Sequence, residues 1–474
     1  MKIRFALTAL ILAALSAFAA TALPIKSSAN GRYFTDANGV PWIMIADAGH
    51  HIISAIPTSA YAAYLTDRVN DGFNTVDIYA PCGGNSGTCL SNAQAFDGTL
   101  PFTSGTDPTN YDLSTPNPAY WSKVDGLMAT ASADGLIVML NPLPWGNNFA
   151  STMTNNGSTK VFNFGAFIGN RYKGYSNIIW QVGEDFDQSS LPTSAQVALV
   201  GQLMAGIKSA DPNALITCEL DYNRSYSTHA NTLDATYASD LTVNLVYDYY
   251  EIYDYMLAAY NASPKLPIIM GEANYETANN TGGLSGATNA FITRQQSWYT
   301  MTSGGSGFVF GNEHINHFDS GYASSFDTPA TLQQKYIPAL FYQYPWQNFA
   351  PDQTHAVVTS GYGTYNVNNL NMFTATYATT TWDGANNSIT YTPVSTTLTV
   401  NLASFSKPVN AAWYDPTAGT STPIAGSPFT NSGSHDFATP AAAHGDGSND
   451  WVLTLSASQA AAPLPPTGLV ATVK

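Results

Sequence analysis

Short apolar runs alternate with stretches of helical period between residues 41 and 310. The runs 41–47, 73–80, 136–140, 177–185, 215–220, 241–247, 266–270 and 307–310 place apolar side chains at consecutive positions. Loss of alternation suits parallel strands covered on both faces. Between the runs, residues 59–71 set Tyr61, Tyr64, Leu65 and Val69 on one helical face. Residues 120–133, 162–171, 194–210 and 290–302 read as further helices, the fourth of these five stopped by Asp211-Pro212. A hairpin over 31–40, turning at Asn38-Gly39, precedes the first run. Eight strand–helix units predict an α/β chain folded as a (β/α)8 TIM barrel with long loops. A doubly wound sheet would need a glycine-rich phosphate turn after its first strand, and Asp47-Ala48-Gly49-His50-His51 is not one.

From about residue 352 the helical period stops. Short strands near 357, 372–377, 388–391, 396–401, 411–414 and 451–455 predict a C-terminal all-β sandwich. The expected division is a signal peptide at 1–22, the barrel at 23–350, the sandwich at 351–458, and a Pro/Ala-rich linker or truncated module at 459–474. Lys2 and Arg4, an apolar 5–18 and Ala20-Thr21-Ala22 have the order of a secretory signal, so the chain is expected to be secreted, extracellular or periplasmic. No later stretch of the sequence is long and apolar enough to span a membrane.

Composition narrows the partners. Only 10% of residues are charged and the net charge is −16, which argues against nucleic acid or an anionic membrane. Abundant aromatic, Asn, Thr, Ser and Gly residues suit a polar, weakly charged surface with rings available to stack on sugars. Cys82 and Cys89 bracket a glycine-rich loop and are expected to form a disulfide in an oxidising compartment. Cys218, in an apolar strand, reads as a buried thiol, and no histidine is spaced to complete a zinc site. No cofactor is expected.

Chemistry in a TIM barrel is carried at the C-terminal ends of the strands. That rule selects Asp47, His50, Tyr79, Asn141, Trp145, Asp185, Tyr247, Glu272 and Asn312. Only the fourth and seventh strands end in a carboxylate preceded by glycine, in Gly183-Glu184-Asp185 and Gly271-Glu272. Two acids delivered to one rim are what cleavage of a glycosidic bond requires. Glu184 and Asp185 would point to opposite sides of an extended strand, and geometry alone does not choose between them.

Residues 31–47, 72–76, 171–173, 177–185, 271–276 and 304–311 resemble the apiosidase-like glycoside hydrolases, and 412–416 with 450–453 resemble the collagen-binding-type β-sandwich domain that often follows such barrels. The resemblance spans nearly the whole chain beyond the signal. It implies a glycosidase acting on an oligo- or polysaccharide. The family's fourth-strand motif usually ends Gly-Gly-Asp, so the match puts the first carboxylate on Asp185, with Glu184 replacing a glycine. The second falls on Glu272. Analogy with barrel glycosidases that pair acids on these strands makes Asp185 the acid/base, Glu272 the nucleophile and the reaction retaining.

Competing readings accompany these. Asp185 is also a candidate helix N-cap. Glu276 reads as a loop residue or substrate contact, His50 and His51 as sugar ligands or structural histidines, and Asp47 as a residue that orients its neighbours. Tyr247-Asp248-Tyr249-Tyr250 is a stacking platform or ordinary packing, and Glu313 with His314 line a subsite or face solvent. Asp134, Asp211 and Asp240 precede strands on the opposite rim and read as structural. The rival function is a non-catalytic carbohydrate- or matrix-binding protein on a barrel scaffold.

Overall fold

A computed structural model describes residues 21–83, 89–186, 194–222, 237–279, 287–366 and 372–457. Most of the expected signal peptide and all of the expected C-terminal linker lie outside the described residues. Eight parallel strands form the central sheet: β1 Met44–Ala48, β2 Thr75–Tyr79, β3 Ile137–Asn141, β4 Ile178–Phe186, β5 Ile216–Leu220, β6 Asn244–Tyr247, β7 Ile268–Glu272 and β8 Gly307–Phe310. Their order is β5-β4-β3-β2-β1-β8-β7-β6. The ring is bridged between β5 and β6 by bonds from the Thr242 and Val243 amides to the Ile216 carbonyl, 2.9 and 3.2 Å. The Thr217 hydroxyl adds a bond to the Val243 carbonyl at 3.1 Å.

Every strand is buried on both faces, and period 2 sorts its side chains into two cores. Met44, Ala46, Ala48, Ile137, Met139, Ile179, Leu245, Ile269 and Val309 fill the barrel. Val76, Ile78, Val138, Leu140, Trp180, Val182, Ile216 and Cys218 face the outer helices, as do Ile45, Met270, Phe308 and Phe310 on the other side. Helix Ala150–Tyr172 begins well before the expected residue 162, and its helical backbone is broken at Gly157, φ 70°.

The first predicted strand is two elements. Pro41–Trp42 pairs with Phe34–Thr35 in a three-stranded antiparallel ribbon, and the barrel strand starts at Met44. The turn between them is held by Asp36 Oδ1, which accepts bonds from the Asn38 and Val40 amides at 2.9 Å. Beyond the barrel, a six-stranded antiparallel sheet and a three-stranded one face each other. Residues 372–377, expected as a strand, instead hold a 3-10 turn at Met372–Thr374. Strands Thr379–Trp382, Thr420–Pro423 and Ser434–Ala438 carry too little apolar alternation to be read beforehand.

The six-stranded sheet is apolar on both sides. Ala411, Trp413, Leu453 and Leu455 pack on Val358, Leu398, Val400 and Phe437 of the small sheet. Ile389, Tyr391, Tyr414 and Val452 pack on Trp298 and Tyr299 of the barrel helix Ala290–Thr302. Sandwich and barrel therefore share a core. Among the described residues no helix is long and apolar enough to cross a membrane.

Candidate active site

The mouth of the barrel is built where β4 and β7 leave regular pairing. In β4, Gly183 pairs with Glu219 and Phe186 with Leu220, so Glu184 and Asp185 form a bulge. Gly183, Glu184 and Asp185 all have positive φ, at 88°, 79° and 47°. For a residue with a side chain this costs on the order of 1 kcal/mol or more. Gly183 has a second reason to be glycine, because a Cβ there would collide with the Glu219 carbonyl oxygen. The alternation expected of Glu184 and Asp185 therefore does not apply, since the backbone is not extended. Both lie against the turn that carries Trp145: a Cβ on Gly146 would sit 2.8 Å from Glu184 Oε2 and 3.0 Å from Asp185 Cβ.

β7 repeats the device. Its pairing with β6 slips between Met270 and Glu272, and Gly271 has no room for a Cβ beside Leu245. Gly271 is the extra residue, Glu272 pairs again with Tyr247, and its Oε1 accepts a bond from the Tyr249 hydroxyl at 3.2 Å. Tyr249 is in turn hydrogen-bonded to the Tyr247 hydroxyl.

Asp185 and Glu272 lie close enough to feel one another's charge. Burial raises Glu272 well above the ordinary glutamate range and the Asp185 carboxyl adds to it, while bonds from Tyr247 and Tyr249 work the other way. Burial raises Asp185 to about 6, with a contribution from Asp221. Next to them on β5, Glu219 is raised by burial and then by Glu272, Asp185, Asp77 and Glu184. Among the described residues no lysine or arginine pairs with Asp185, Glu219 or Glu272. Such a cluster holds protons at a pH where isolated carboxyls have lost them.

Around this acid cluster stand rings. His50 stacks on Tyr79 at 3.9 Å between centroids, meets Tyr275 edge-on at 6.4 Å, and bonds Asp77 Oδ2 through Nε2 at 3.2 Å. Gly311 makes space for the Tyr275 ring, which a Cβ would strike. Tyr222, 39% exposed, lies 5.3 Å from Tyr249 and 6.3 Å from Tyr247. Trp145, part-exposed, meets Phe186 edge-on at 4.9 Å. Asn141 is buried, its Nδ2 directed to the Gly183 carbonyl at 3.4 Å, so it braces the bulge from β3.

Three expected substrate contacts are engaged by groups of the protein itself. Asp47 is on the outward face of β1, bonded to the Tyr64 hydroxyl at 2.8 Å and 3.5 Å from Arg68 Nη1, all fully buried in the helical shell. Asn312 caps helix Glu313–His317 through Oδ1, and its Nδ2 donates to Glu276 Oε2 at 2.7 Å. Glu276 accepts there a further bond from Thr328 at 2.6 Å, which ties three loops together. Among the secondary candidates, His51 packs on His317 at 4.8 Å, and Glu313 lies 3.5 Å from His317 Nδ1. Cys82 and Cys89 form the expected disulfide, which removes them as ligands beside His51, and Cys218 is a buried free thiol. Asp67 and Asp71, grouped with Asp327, are engaged by Arg68. The site residues that the strand-end rule missed are Asp77, two positions short of its strand end, and Glu219, one short, with Tyr249 and Tyr275 in loops. Thr75-Val76-Asp77-Ile78-Tyr79 and Ile216-Thr217-Cys218-Glu219-Leu220 do alternate, and that alternation was the available signal.

A closed parallel barrel with coupled carboxyls and tyrosines at the C-terminal rim has the architecture of a barrel glycosidase. Residues 28–348 match the family described as "Apiosidase-like, catalytic domain", and 367–456 match "Putative collagen-binding domain of a collagenase". The chain belongs to the apiosidase-like family and is a glycoside hydrolase. Among solved structures, one named "Glycoside hydrolase" is similar with a TM-score of 0.75 at 20% identity, over 92% of this chain and 99% of its own. A glycoside hydrolase family 5 protein from Bacteroides vulgatus is similar with a TM-score of 0.75 at 20% identity, over 92% and 95%. Both likenesses are of fold. No curated protein matches the sequence.

Proposed function

We propose that the chain is an exported glycosidase that cleaves a plant or microbial polysaccharide with Asp185 as acid/base and Glu272 as nucleophile. The observation that carries this is the placement of both carboxyls at the C-terminal rim, Asp185 in the β4 bulge and Glu272 at the end of β7 under the Tyr249 hydroxyl. Glu272, held by the Tyr249 hydroxyl, attacks the anomeric carbon while Asp185 gives its proton to the leaving oxygen. A carboxyl raised to about 6 keeps that proton in mildly acidic solution. Asp185 then takes a proton from the water that releases the glycosyl group, so the anomeric configuration is retained. The Tyr222–Tyr249 pair and Trp145 offer the faces on which sugar rings stack. Trp145, Tyr79, His50, Glu184 and Tyr247 are the proposed substrate-binding side chains, with Asn141 bracing the bulge. The Cys82–Cys89 disulfide supports an oxidising compartment and hence export.

The test is release of reducing sugar from a panel of polysaccharides by the wild type, D185N and E272Q, with product stereochemistry followed by NMR. Turnover that survives both substitutions would sink the assignment, and first-formed product of inverted configuration would sink retention. Polysaccharide binding without turnover at any pH would instead favour a carbohydrate-binding protein.

A further inference from the structure

We propose that Glu219 is a positioning residue of this site: a buried carboxylic acid that keeps its proton during turnover and so leaves Glu272 as the carboxyl that ionises. The proposal rests on the reading of Glu272 as nucleophile and adds a third acid to it. Glu219 stands on the inner face of β5, 1% exposed, and its backbone carbonyl is pinned under Gly183. One oxygen, Oε2, accepts a bond from the Gln181 amide. The other, Oε1, is buried without a partner.

A charged carboxylate in that position would exchange its water shell for a single amide hydrogen, and burying an uncompensated ion costs several kcal/mol. A neutral carboxyl loses far less. The groups around Glu219 push the same way. Glu272 faces it from β7, Asp185 and Glu184 from the β4 bulge and Asp77 from β2, with the neutral phenols of Tyr79 and Tyr275 beside them. Adjacent carboxyls in one site do not both ionise freely, so the charge settles where the carboxylate is best supported. Glu272 has the Tyr249 hydroxyl backed by Tyr247, and it reaches the mouth. Glu219 has one amide.

The test is the pH profile of kcat/KM for Glu219→Gln, which copies the protonated acid in shape and charge. Expected is activity within a few-fold of wild type at the optimum, an acidic limb, which reports Glu272, that stays in place because the amide carries the same zero charge as the acid, and loss of a protonated-carboxyl band from the infrared spectrum near the optimum. Glu219→Met, apolar and of similar size, is the second variant and should likewise leave the limb in place. An acidic limb moved down by about one pH unit in both variants, the mark of a negative charge removed beside Glu272, overturns the proposal. So does loss of activity at every pH in a folded protein, which would make Glu219 an ionised catalytic group. Failure of both variants to fold overturns it too, because a neutral acid without a cation should be replaceable by its amide. If instead D185N and E272Q retain turnover, it is the reading of the pair that fails.

Discussion

At the seam between barrel and sandwich, Arg294 is fully buried, and all three of its nitrogens have partners. Nε and Nη2 grip the two oxygens of buried Asp450 at 2.9 and 2.8 Å, Nη1 meets Gln333 at 2.6 Å, and Tyr391 adds a bond to Asp450 at 3.2 Å. At the mouth, by contrast, Glu219, Asp185 and Glu272 crowd together with no cation paired to them among the described residues, and Glu184 and Asp185 sit in disfavoured backbone. Both regions bury ionisable groups. Compensation at the seam fixes a geometry, whereas the uncompensated mouth keeps protons available and stores the repulsion that chemistry uses.

If this contrast is right, substitutions in the two regions separate activity from stability. The largest effect is expected at Glu272→Gln and Asp185→Asn, each lowering kcat by about a thousandfold or more with the fold intact by circular dichroism. A loss of only a few-fold would move the chemistry elsewhere. Next comes Arg294→Met, which leaves Asp450 buried and unpaired. It should cost about 3–5 kcal/mol in denaturant unfolding while kcat of the folded fraction is unchanged. Asp450→Asn added to it should recover part of that loss, since the orphaned charge is then gone. An Arg294→Met protein of normal stability would mean the seam does not hold the two parts together.

Much of this was legible in the sequence, and the failures have physical causes. The barrel was readable because strands buried on both sides write uninterrupted apolar runs. The glycine–acid pairs at 183–185 and 271–272 were readable as special, but not as bulges, because nothing local shows a register slip. Asp47 was misplaced for the reason its strand was found: Met44-Ile45-Ala46-Asp47-Ala48 is apolar on both faces, so its parity is silent. Glu219 and Asp77 were overlooked although their strands alternate. The tie from Glu276 to Asn312 crosses 36 residues, and no pattern along the chain announces it. Thr420–Pro423, exposed at every residue, has no apolar side at all.

The smallest predicted effects are the most discriminating, because they set the sign of pH dependence in the two regions. Asp185 and Glu272 have raised values in the folded protein. Their contribution to stability is complete below about pH 4, the ordinary carboxylate value, and is lost as pH rises, through about 6 for Asp185. Glu272→Gln escapes that loss. It should therefore melt above wild type at about pH 8 and match it more closely near about pH 4, so the substitution that removes activity also stabilises. In the sandwich, burial alone would raise Asp415, but bonds from His444 and Thr417 outweigh it and hold the carboxyl below the usual range. That contribution is present above about pH 4 and is lost as pH falls through the lowered value. Asp415→Asn should then melt below wild type at about pH 6, with the gap closing toward about pH 2. Thermal melts of the two variants across pH should diverge from wild type at opposite ends of the scale. Differences that run in the same direction with pH would show that the mouth acids are compensated after all, by groups beyond those facing them here, and the contrast with the seam would fall.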